Sequence, residues 1–131
     1  MDSFKEAFKA LDGTKARGVD GISKSEYGEN LEVNLLNLEQ RIKNGTYRPK
    51  PKKEILIPKA NGKTRPICVS CFEDKIVDWV IGKILTNIYE PLFIKTSFGY
   101  RPKKSAENAI KTCYNSLSKN KRKYVVEIDF S

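Results

Sequence analysis

Two short apolar segments separated by Asn61-Gly62 place the strongest constraint on how this chain folds. Asn-Gly is a strong signal for a tight β-hairpin, because a type I′ turn needs two residues with positive φ. The segment Glu54–Ile67 therefore predicts a hairpin whose second strand carries Lys63 and Arg65. Because side chains alternate between the two faces of a strand, both cations are expected to point the same way near the tip. Such a projection suits phosphate binding, and it equally suits a solvated edge hairpin whose lysines oppose aggregation.

The positive charge of the chain is concentrated in two segments. The 131 residues carry a formal net charge of +9, and residues 41–65 and 95–123 each hold nine Lys and Arg against a single acidic residue. The remainder of the chain is therefore net acidic. Two separate basic segments favour a polyanionic partner such as a nucleic acid. An anionic membrane surface is the alternative, but these cations lie in predicted hairpin and loop segments rather than on one face of an apolar helix.

The sequence contains no signal peptide and no apolar run long enough to span a bilayer. We therefore expect a cytoplasmic protein without a membrane partner. Cys68 and Cys71 have the spacing of some zinc and redox sites, but the chain has no histidine and only one further cysteine, Cys113, to complete four ligands. Reduced thiols are the expectation for a cytosolic protein.

Hydrophobic periodicity predicts a mostly helical chain with a small β component. Apolar residues recur every three or four positions, and Ser, Gly and Pro mark the ends of these segments. The predicted helices are Ser3–Leu11, one long helix that begins after Ser23 and ends near Gly45, Phe72–Tyr89, and a last helix from Ser105 to about Leu117. The β-branched run Lys123–Phe130 predicts a buried strand. The expected fold class is α+β.

Asp129 is the sharpest candidate for a metal-binding or catalytic side chain. It lies where the predicted last strand emerges, a position that suits a ligand of Mg²⁺. Two-metal phosphoryl transfer needs at least two protein carboxylates, and a strand-end aspartate is also an ordinary capping or solvated residue. Phe98, Tyr100 and Arg101 form an aromatic and basic loop that suits stacking on nucleic-acid bases. The alternative for the two aromatic residues is to anchor their loop against the long helix.

Several motifs occur in an order and at a spacing that are familiar from one protein family. They are Gly18-Val-Asp-Gly-Ile22, Gly45-Thr-Tyr-Arg-Pro-Lys-Pro51, Ile57-Pro-Lys-x-x-Gly-Lys-x-Arg-Pro-Ile67, Asp74-Lys-Ile-Val77, Tyr89-Glu-Pro-Leu-Phe93, Ser97-Phe-Gly-Tyr-Arg-Pro-x-x-Ser-Ala106 and Glu127-Ile-Asp-Phe130. Together they resemble the N-terminal part of bacterial group II intron reverse transcriptases, the intron-encoded maturases. The resemblance covers nearly the whole chain. Retron and diversity-generating reverse transcriptases are an alternative branch, but the first two motifs favour the group II branch.

The resemblance implies the fingers subdomain of a right-hand polymerase, mostly helical with a β-hairpin and the first palm strand. By this comparison, residues 1–45 are the N-terminal extension of the reverse transcriptase and residues 46–122 are the fingers with the basic hairpin. Residues 123–131 are then the first palm strand.

The resemblance also implies roles for individual residues. Lys63 and Arg65 match the pair that binds the triphosphate of the incoming dNTP. Asp129 matches the first catalytic aspartate, a ligand of Mg²⁺ in the complete enzyme. The residues expected to contact RNA are Arg48, Lys50, Lys52, Lys53, Lys59, Tyr100, Arg101, Lys103 and Lys104.

The implied reaction is RNA-directed DNA synthesis, with assistance to intron splicing as a companion activity. The implied partners are intron RNA, a template–primer and dNTP, in the cytoplasm of a bacterium. The family's Tyr-x-Asp-Asp turn and thumb are not among these 131 residues, so the chain alone is expected to be unable to polymerise. The alternative function is a stand-alone RNA-binding or self-associating module left from a split reverse transcriptase frame, in which exposed apolar surface would favour a homodimer.

Overall fold

The computed structural model describes residues 1–60, 62–119 and 124–129, which form an α+β structure with five α-helices and one two-stranded antiparallel sheet. The elements are α1 (Asp2–Ala10), α2 (Lys24–Glu29), α3 (Leu31–Lys43), β1 (Lys53–Pro58), β2 (Thr64–Val69), α4 (Phe72–Tyr89), a short 3-10 helix (Glu90–Leu92) and α5 (Ala106–Lys119). The predicted α+β class is confirmed, whereas the assignment to polymerase fingers stays a prediction. No helix among the described residues is both long and apolar enough to cross a membrane.

The chain divides into two compact units, Met1–Ile84 and Leu85–Ser131. The first unit contains an apolar core in which the ring of Phe72 lies 5.9 Å from that of Phe8 and 5.5 Å from that of Tyr27, between centroids. The buried residues of this core are Ala7, Tyr27, Leu35, Leu38, Phe72, Ile76 and Val77. The predicted domain boundaries near residues 45 and 122 rest on the family resemblance and stay predictions.

The single long helix predicted after Ser23 is wrong, because the segment forms two helices. Ser23 does begin α2, through a capping box with Glu26 in which each side chain bonds the backbone of the other. Asn30 then leaves the helical region, with φ −122° and ψ 41°, before α3 begins. The side-chain amide of Asn34 donates to the carbonyl of Tyr27 at 2.9 Å. This bond gives a partner to one of the carbonyls at the end of the short helix.

Helix α4 begins and ends where its apolar pattern predicts. Its first half is part of the core, since Ile76 and Val77 are buried. Its second half continues the apolar stripe in an exposed position. Four side chains of this second half are between 45% and 54% exposed: Ile81, Ile84, Leu85 and Ile88. The stripe of α4 is therefore only half covered in the part of the chain that the structure describes.

The last predicted helix is confirmed, but the strand predicted after it is not formed. Ser105 and Asn108 cap α5 reciprocally, with Asn108 N–H donating to the Ser105 hydroxyl at 3.2 Å and Ser105 N–H donating to the Asn108 side chain at 3.0 Å. Residues 124–129 have no regular secondary structure, and their side chains are exposed. The physical reason is that β1 and β2 pair only with each other, so residues 124–129 have no neighbouring strand in the described structure. Lys123 and Phe130 lie outside the described residues.

Candidate nucleic-acid interface

The predicted hairpin is formed, but its turn is longer than predicted. The N–H of Lys59 donates to the carbonyl of Lys63 at 2.7 Å, and the N–H of Gly62 donates to the carbonyl of Lys59 at 3.0 Å. The connection therefore spans residues 60–62 instead of the predicted two-residue Asn61-Gly62 turn. Gly62 has a φ of +76°, the left-handed conformation that three-residue hairpin loops require after a turn. Asn61 itself lies outside the described residues.

The hairpin exposes Lys63 and Arg65, the two cations for which the family resemblance implies a role in triphosphate binding. Arg65 lies in β2 directly opposite Ile57, and Lys63 immediately precedes this strand. Both side chains are exposed, as are Lys53 and Lys59 on the neighbouring strand and turn. Ile55 and Val69 are the strand residues that are half-buried, and the other described positions of both strands are exposed. The hairpin is thus a projection whose cations are accessible.

The segment that leads into the hairpin carries Arg48 and Lys50, which both bond within the chain. The guanidinium of Arg48 donates to the carbonyls of Gly45 at 3.0 Å and Tyr47 at 2.8 Å. The Nζ of Lys50 lies 3.0 Å from a carboxylate oxygen of Asp20, and this hydrogen bond raises the pKa of Lys50. Burial opposes ionisation of Asp20, but hydrogen bonds led by that from Lys50 outweigh it and lower the pKa of Asp20 below its usual value. Lys52, two residues further on, is exposed.

Arg101 faces inward, towards the backbone of its own loop. Its side chain is only 9% exposed, and it donates to the carboxylate of Glu90 at 2.8 Å and to the carbonyls of Ile94 and Ser97 at 3.0 and 2.8 Å. The guanidinium also lies 4.8 Å from the ring centroid of Phe93. Hydrogen bonds from Arg101 lower the pKa of Glu90. An RNA contact by Arg101 would require these bonds to break.

The same unit presents a basic concavity of about 330 Å³. The described residues that line it include four lysines and no acidic side chain. They are Lys95, Phe98, Lys103, Lys104, Asn108, Lys111, Thr112 and Asn115. The Nζ of Lys104 lies 5.6 Å from the centroid of Phe98, so this ring supports a cation of the concavity. We refer to these lining residues as the basic concavity.

The sequence identified only part of the basic concavity. Lys103 and Lys104 are predicted RNA contacts that the fold brings together with Lys95 and Lys111, which the prediction omitted. Lys111 could have been found from its position on α5, because it lies three residues after Asn108 and therefore on the same face of the helix. Tyr100, another predicted RNA contact, is not one of the lining residues. Its side chain is fully exposed, and its φ is +55°.

Asp129 lies in the segment 124–129, where its side chain is exposed. In the part of the chain that the structure describes, no group of three or more His, Cys, Asp or Glu side chains is arranged to hold a metal ion. A single exposed carboxylate does not fit the coordination that Mg²⁺ requires from a protein in two-metal chemistry. The residues described here therefore do not form a magnesium site by themselves.

Two acidic residues at the start of α4 have structural partners that the sequence did not reveal. Glu73 accepts from Arg41 at 2.6 Å and from the hydroxyl of Tyr27 at 3.2 Å. Asp74 is only 6% exposed and accepts from the hydroxyl of Tyr47 and from the backbone. Acidic residues are common in the first turn of a helix because the helix dipole stabilises them there. Their position in the sequence therefore gave no reason to expect that one of them is buried.

Comparison with known proteins gives several relatives that match most of the chain. Protein YkfC of Escherichia coli strain K12 is 34% identical over 122 residues, which are 91% of this chain and 32% of YkfC. Group II intron-encoded protein LtrA of Lactococcus lactis subsp. cremoris is 34% identical over 112 residues, 85% of this chain and 19% of LtrA. An uncharacterized 91 kDa protein in the cob intron of Schizosaccharomyces pombe is 28% identical over 117 residues, 88% of this chain and 14% of that protein.

No protein-family model matches the chain. The chain spans about a fifth to a third of the length of the first two curated relatives.

Proposed function

Because this chain belongs to the family of group II intron-encoded proteins, we propose that it acts as the fingers and the beginning of the palm of an RNA-directed DNA polymerase. In this role it binds template or intron RNA and the incoming dNTP. The similarity that supports the proposal extends over 85% to 91% of the chain in two relatives at 34% identity. The complete reaction, its substrates and its assistance to splicing belong to the same proposal.

The exposed cationic hairpin is the observation that carries this function. Lys63 and Arg65 are accessible at the end of a projection, and two residues of different chemistry are well suited to a triphosphate. The guanidinium of Arg65 offers a planar fork to phosphate oxygens, whereas the ammonium of Lys63 acts as a compact charge. A hairpin whose lysines serve only to oppose aggregation does not need a lysine and an arginine close together at one end. The presence of Lys63 and Arg65 there favours the binding role.

RNA binding is assigned to the basic concavity and to the exposed lysines Lys52, Lys53 and Lys59 of the hairpin. A concavity lined by four lysines without an acid attracts phosphate groups, and Phe98 beside Lys104 adds an aromatic surface. Arg101 is left out of this assignment, since its guanidinium is bonded to Glu90 and to backbone carbonyls. Arg48 and Lys50 are secondary members, because both have partners within the chain.

Magnesium would supply the charge stabilisation of nucleotidyl transfer in the complete polymerase, with Asp129 as one of its ligands. Since the described residues do not form such a site, we expect the purified chain to be inactive. The measurement is primer extension on an RNA template with Mg²⁺ and all four dNTPs. Extension products above those of an Asp129→Asn control would contradict this part of the proposal.

The test of RNA binding compares a structured group II intron RNA with an unrelated RNA of equal length over a series of salt concentrations. If roughly five cations contact phosphates, log K should fall with log salt with a slope of about −3.5 to −4.5. Tighter binding of the intron RNA that survives moderate salt would support recognition by this chain. Equal binding of both RNAs would reduce the chain to a general polyanion binder, and a slope near zero would contradict the proposal. The matched control is Lys9→Ala/Lys15→Ala, which removes two exposed cations far in sequence from the proposed surfaces.

The second candidate function is a stand-alone RNA-binding or self-associating module. The half-exposed apolar stripe on the second half of α4 favours it, because large exposed apolar patches commonly mark protein contacts. Light scattering after gel filtration measures the oligomeric state. A homodimer that the Ile84→Glu substitution converts to a monomer would support self-association. A monomer at all concentrations would rule out self-association.

A further inference from the structure

We propose that Asp74 is a positioning residue that fixes the direction in which the hairpin projects from the protein. Asp74 lies in the first turn of α4 and is 6% exposed. One of its carboxylate oxygens accepts the hydroxyl of Tyr47, and the other accepts the backbone N–H of Lys50 at 3.1 Å. Both donors belong to the segment that leads into β1. A single buried carboxylate therefore holds this segment at two points.

The segment between these two points and the hairpin is stiff. Pro49 and Pro51 flank Lys50, and each proline fixes its own φ and disfavours helix in the residue before it. The side chain of Lys50 is fixed as well, 3.0 Å from the carboxylate of Asp20. Only two residues separate Lys50 from the start of β1 at Lys53. The orientation that Asp74 imposes is thus carried into the first strand.

The second strand is anchored at the same end of α4. β2 ends at Val69, and only Ser70 and Cys71 separate it from α4; Cys71 is fully buried. A Cβ added to Gly18 would lie 2.6 Å from the Cα of Cys71, so the loop around Gly18 packs directly on this backbone. Both strands therefore enter the protein beside the first turn of α4. The carboxylate of Asp74 lies at this junction.

The strands themselves contribute little to the orientation of the hairpin. Ile55 and Val69 are their half-buried residues, and the other described strand positions are exposed. With so little side-chain packing, the base is what sets the direction of Lys63 and Arg65. This inference rests on the proposed function in one respect: the direction matters for binding only if these cations take the triphosphate. A fixed direction of both cations lets them contact the phosphate oxygens of a triphosphate in one defined geometry.

The structural test is the Tyr47→Phe variant, which keeps the ring and removes the hydroxyl donor. The readout is the set of backbone residual dipolar couplings of the hairpin relative to those of α4. We expect the couplings of β1 and β2 to shrink or to fit a different orientation, while those of α4 remain. Unchanged hairpin couplings in a folded variant would overturn the proposal. The matched control is Tyr27→Phe, which removes the other hydroxyl that bonds an acid of this helix, Glu73, and should leave the hairpin couplings unchanged.

A second variant keeps the test decisive if Tyr47→Phe fails to fold. Asp74→Ala removes both acceptors at once and adds no bulk at the start of α4. We expect a change of the hairpin couplings in the same direction and of at least the same size. Couplings equal to those of the wild type would argue that the base does not orient the hairpin.

The functional arm uses dATP as the probe and follows its dissociation constant by NMR titration. Tyr47→Phe is expected to weaken dATP binding by about two- to tenfold. In a Lys63→Ala/Arg65→Ala background the same change should have no effect, because the cations that it orients are gone. A Tyr47→Phe effect of equal size in both backgrounds would contradict positioning. If Lys63→Ala/Arg65→Ala alone leaves dATP binding unchanged, the proposed nucleotide role fails, and the residual dipolar couplings still decide whether Asp74 orients the hairpin.

Discussion

The hairpin (Lys53–Val69) and the loop of residues 93–104, here called the arginine loop, each contain four Lys or Arg but use their arginines in opposite ways. In the hairpin, Arg65 is exposed opposite an apolar residue of the neighbouring strand. In the arginine loop, Arg101 is 9% exposed and bonds Glu90 and two backbone carbonyls. The guanidinium carries five donors, and an irregular loop has unpaired carbonyls that can accept them. The comparison teaches that an arginine in a basic motif is available to bind a ligand only where its own segment does not already accept its hydrogen bonds.

The largest effect expected from this comparison is on the structure of the arginine loop. Arg101→Ala removes the donors to Glu90, Ile94 and Ser97 at once, and hydrogen bonds to charged groups are among the stronger ones. We expect amide exchange in residues 94–104 to accelerate by on the order of tenfold or more. Arg65→Ala, the matched change in the hairpin, should alter exchange by far less, because its side chain is exposed. Equal acceleration in the two variants would break the comparison.

Arg101→Lys separates charge from geometry. Lysine keeps the positive charge but offers no planar fork, so it cannot bond the carboxylate and both carbonyls together. We expect protection of the loop to recover only in part, as measured by the same exchange experiment. Full recovery would mean that the charge alone holds Glu90.

The second effect concerns which ligand each region binds. Lys103→Ala/Lys104→Ala removes two cations of the basic concavity and should lower RNA affinity, with the salt slope becoming shallower by about 1.4 to 1.8. Lys63→Ala/Arg65→Ala should leave RNA affinity near that of the wild type while it weakens dATP binding. Filter binding over a salt series measures the first quantity and NMR titration the second. A large loss of RNA affinity in the hairpin variant would instead place the hairpin on the nucleic-acid backbone.

The third effect is a response of the arginine loop to acid. Hydrogen bonds from Arg101 lower the pKa of Glu90 below its ordinary value of 4.5. The resulting stabilisation of the arginine loop is fully present above this ordinary value and is lost as the pH falls through the lower value of the folded protein. Arg65 lies opposite Ile57 rather than against a carboxylate. We expect the Nε–H signal of Arg101 to shift and broaden in acid while that of Arg65 does not, and Glu90→Gln to abolish the change.

Much of the secondary structure followed from the sequence because it depends on local patterns. The wide apolar stripe of α4 gave both ends of that helix, and the serine caps gave the starts of α2 and α5. The break at Asn30 was missed because it depends on a side chain one turn further along, that of Asn34. The strand predicted over Lys123–Phe130 depends on a neighbouring strand, and apolar β-branched residues alone cannot provide one.

The candidate site was less predictable, because exposure and direction depend on tertiary contacts. The sequence correctly predicted a cation-bearing hairpin, although the roles of Lys63 and Arg65 stay predictions. It could not distinguish Arg101 from Arg65, since both are followed by proline and lie among other cations. It gave Asp74 no role, because burial of this carboxylate arises from Tyr47, a residue 27 positions earlier. Contacts over such a distance in sequence are not encoded in a local pattern.

The smallest expected effect is on stability and comes from residues with positive φ, one in the hairpin and one in the arginine loop. Gly62 has a φ of +76° in the hairpin, whereas the arginine loop places a tyrosine, Tyr100, at +55°. Gly62→Ala should cost about 1 kcal/mol or slightly more, because an L side chain is strained in this conformation and nothing lies within 4 Å to interact with the new Cβ. Tyr100→Gly should stabilise its loop by a few tenths of a kcal/mol, since relief of strain exceeds the entropy cost of glycine and the exposed ring loses no packing. Amide exchange of Lys59, whose N–H closes the hairpin turn, and of the residues of the arginine loop measures the two changes, and effects of the same sign would mean that the ring of Tyr100 stabilises its loop by another route.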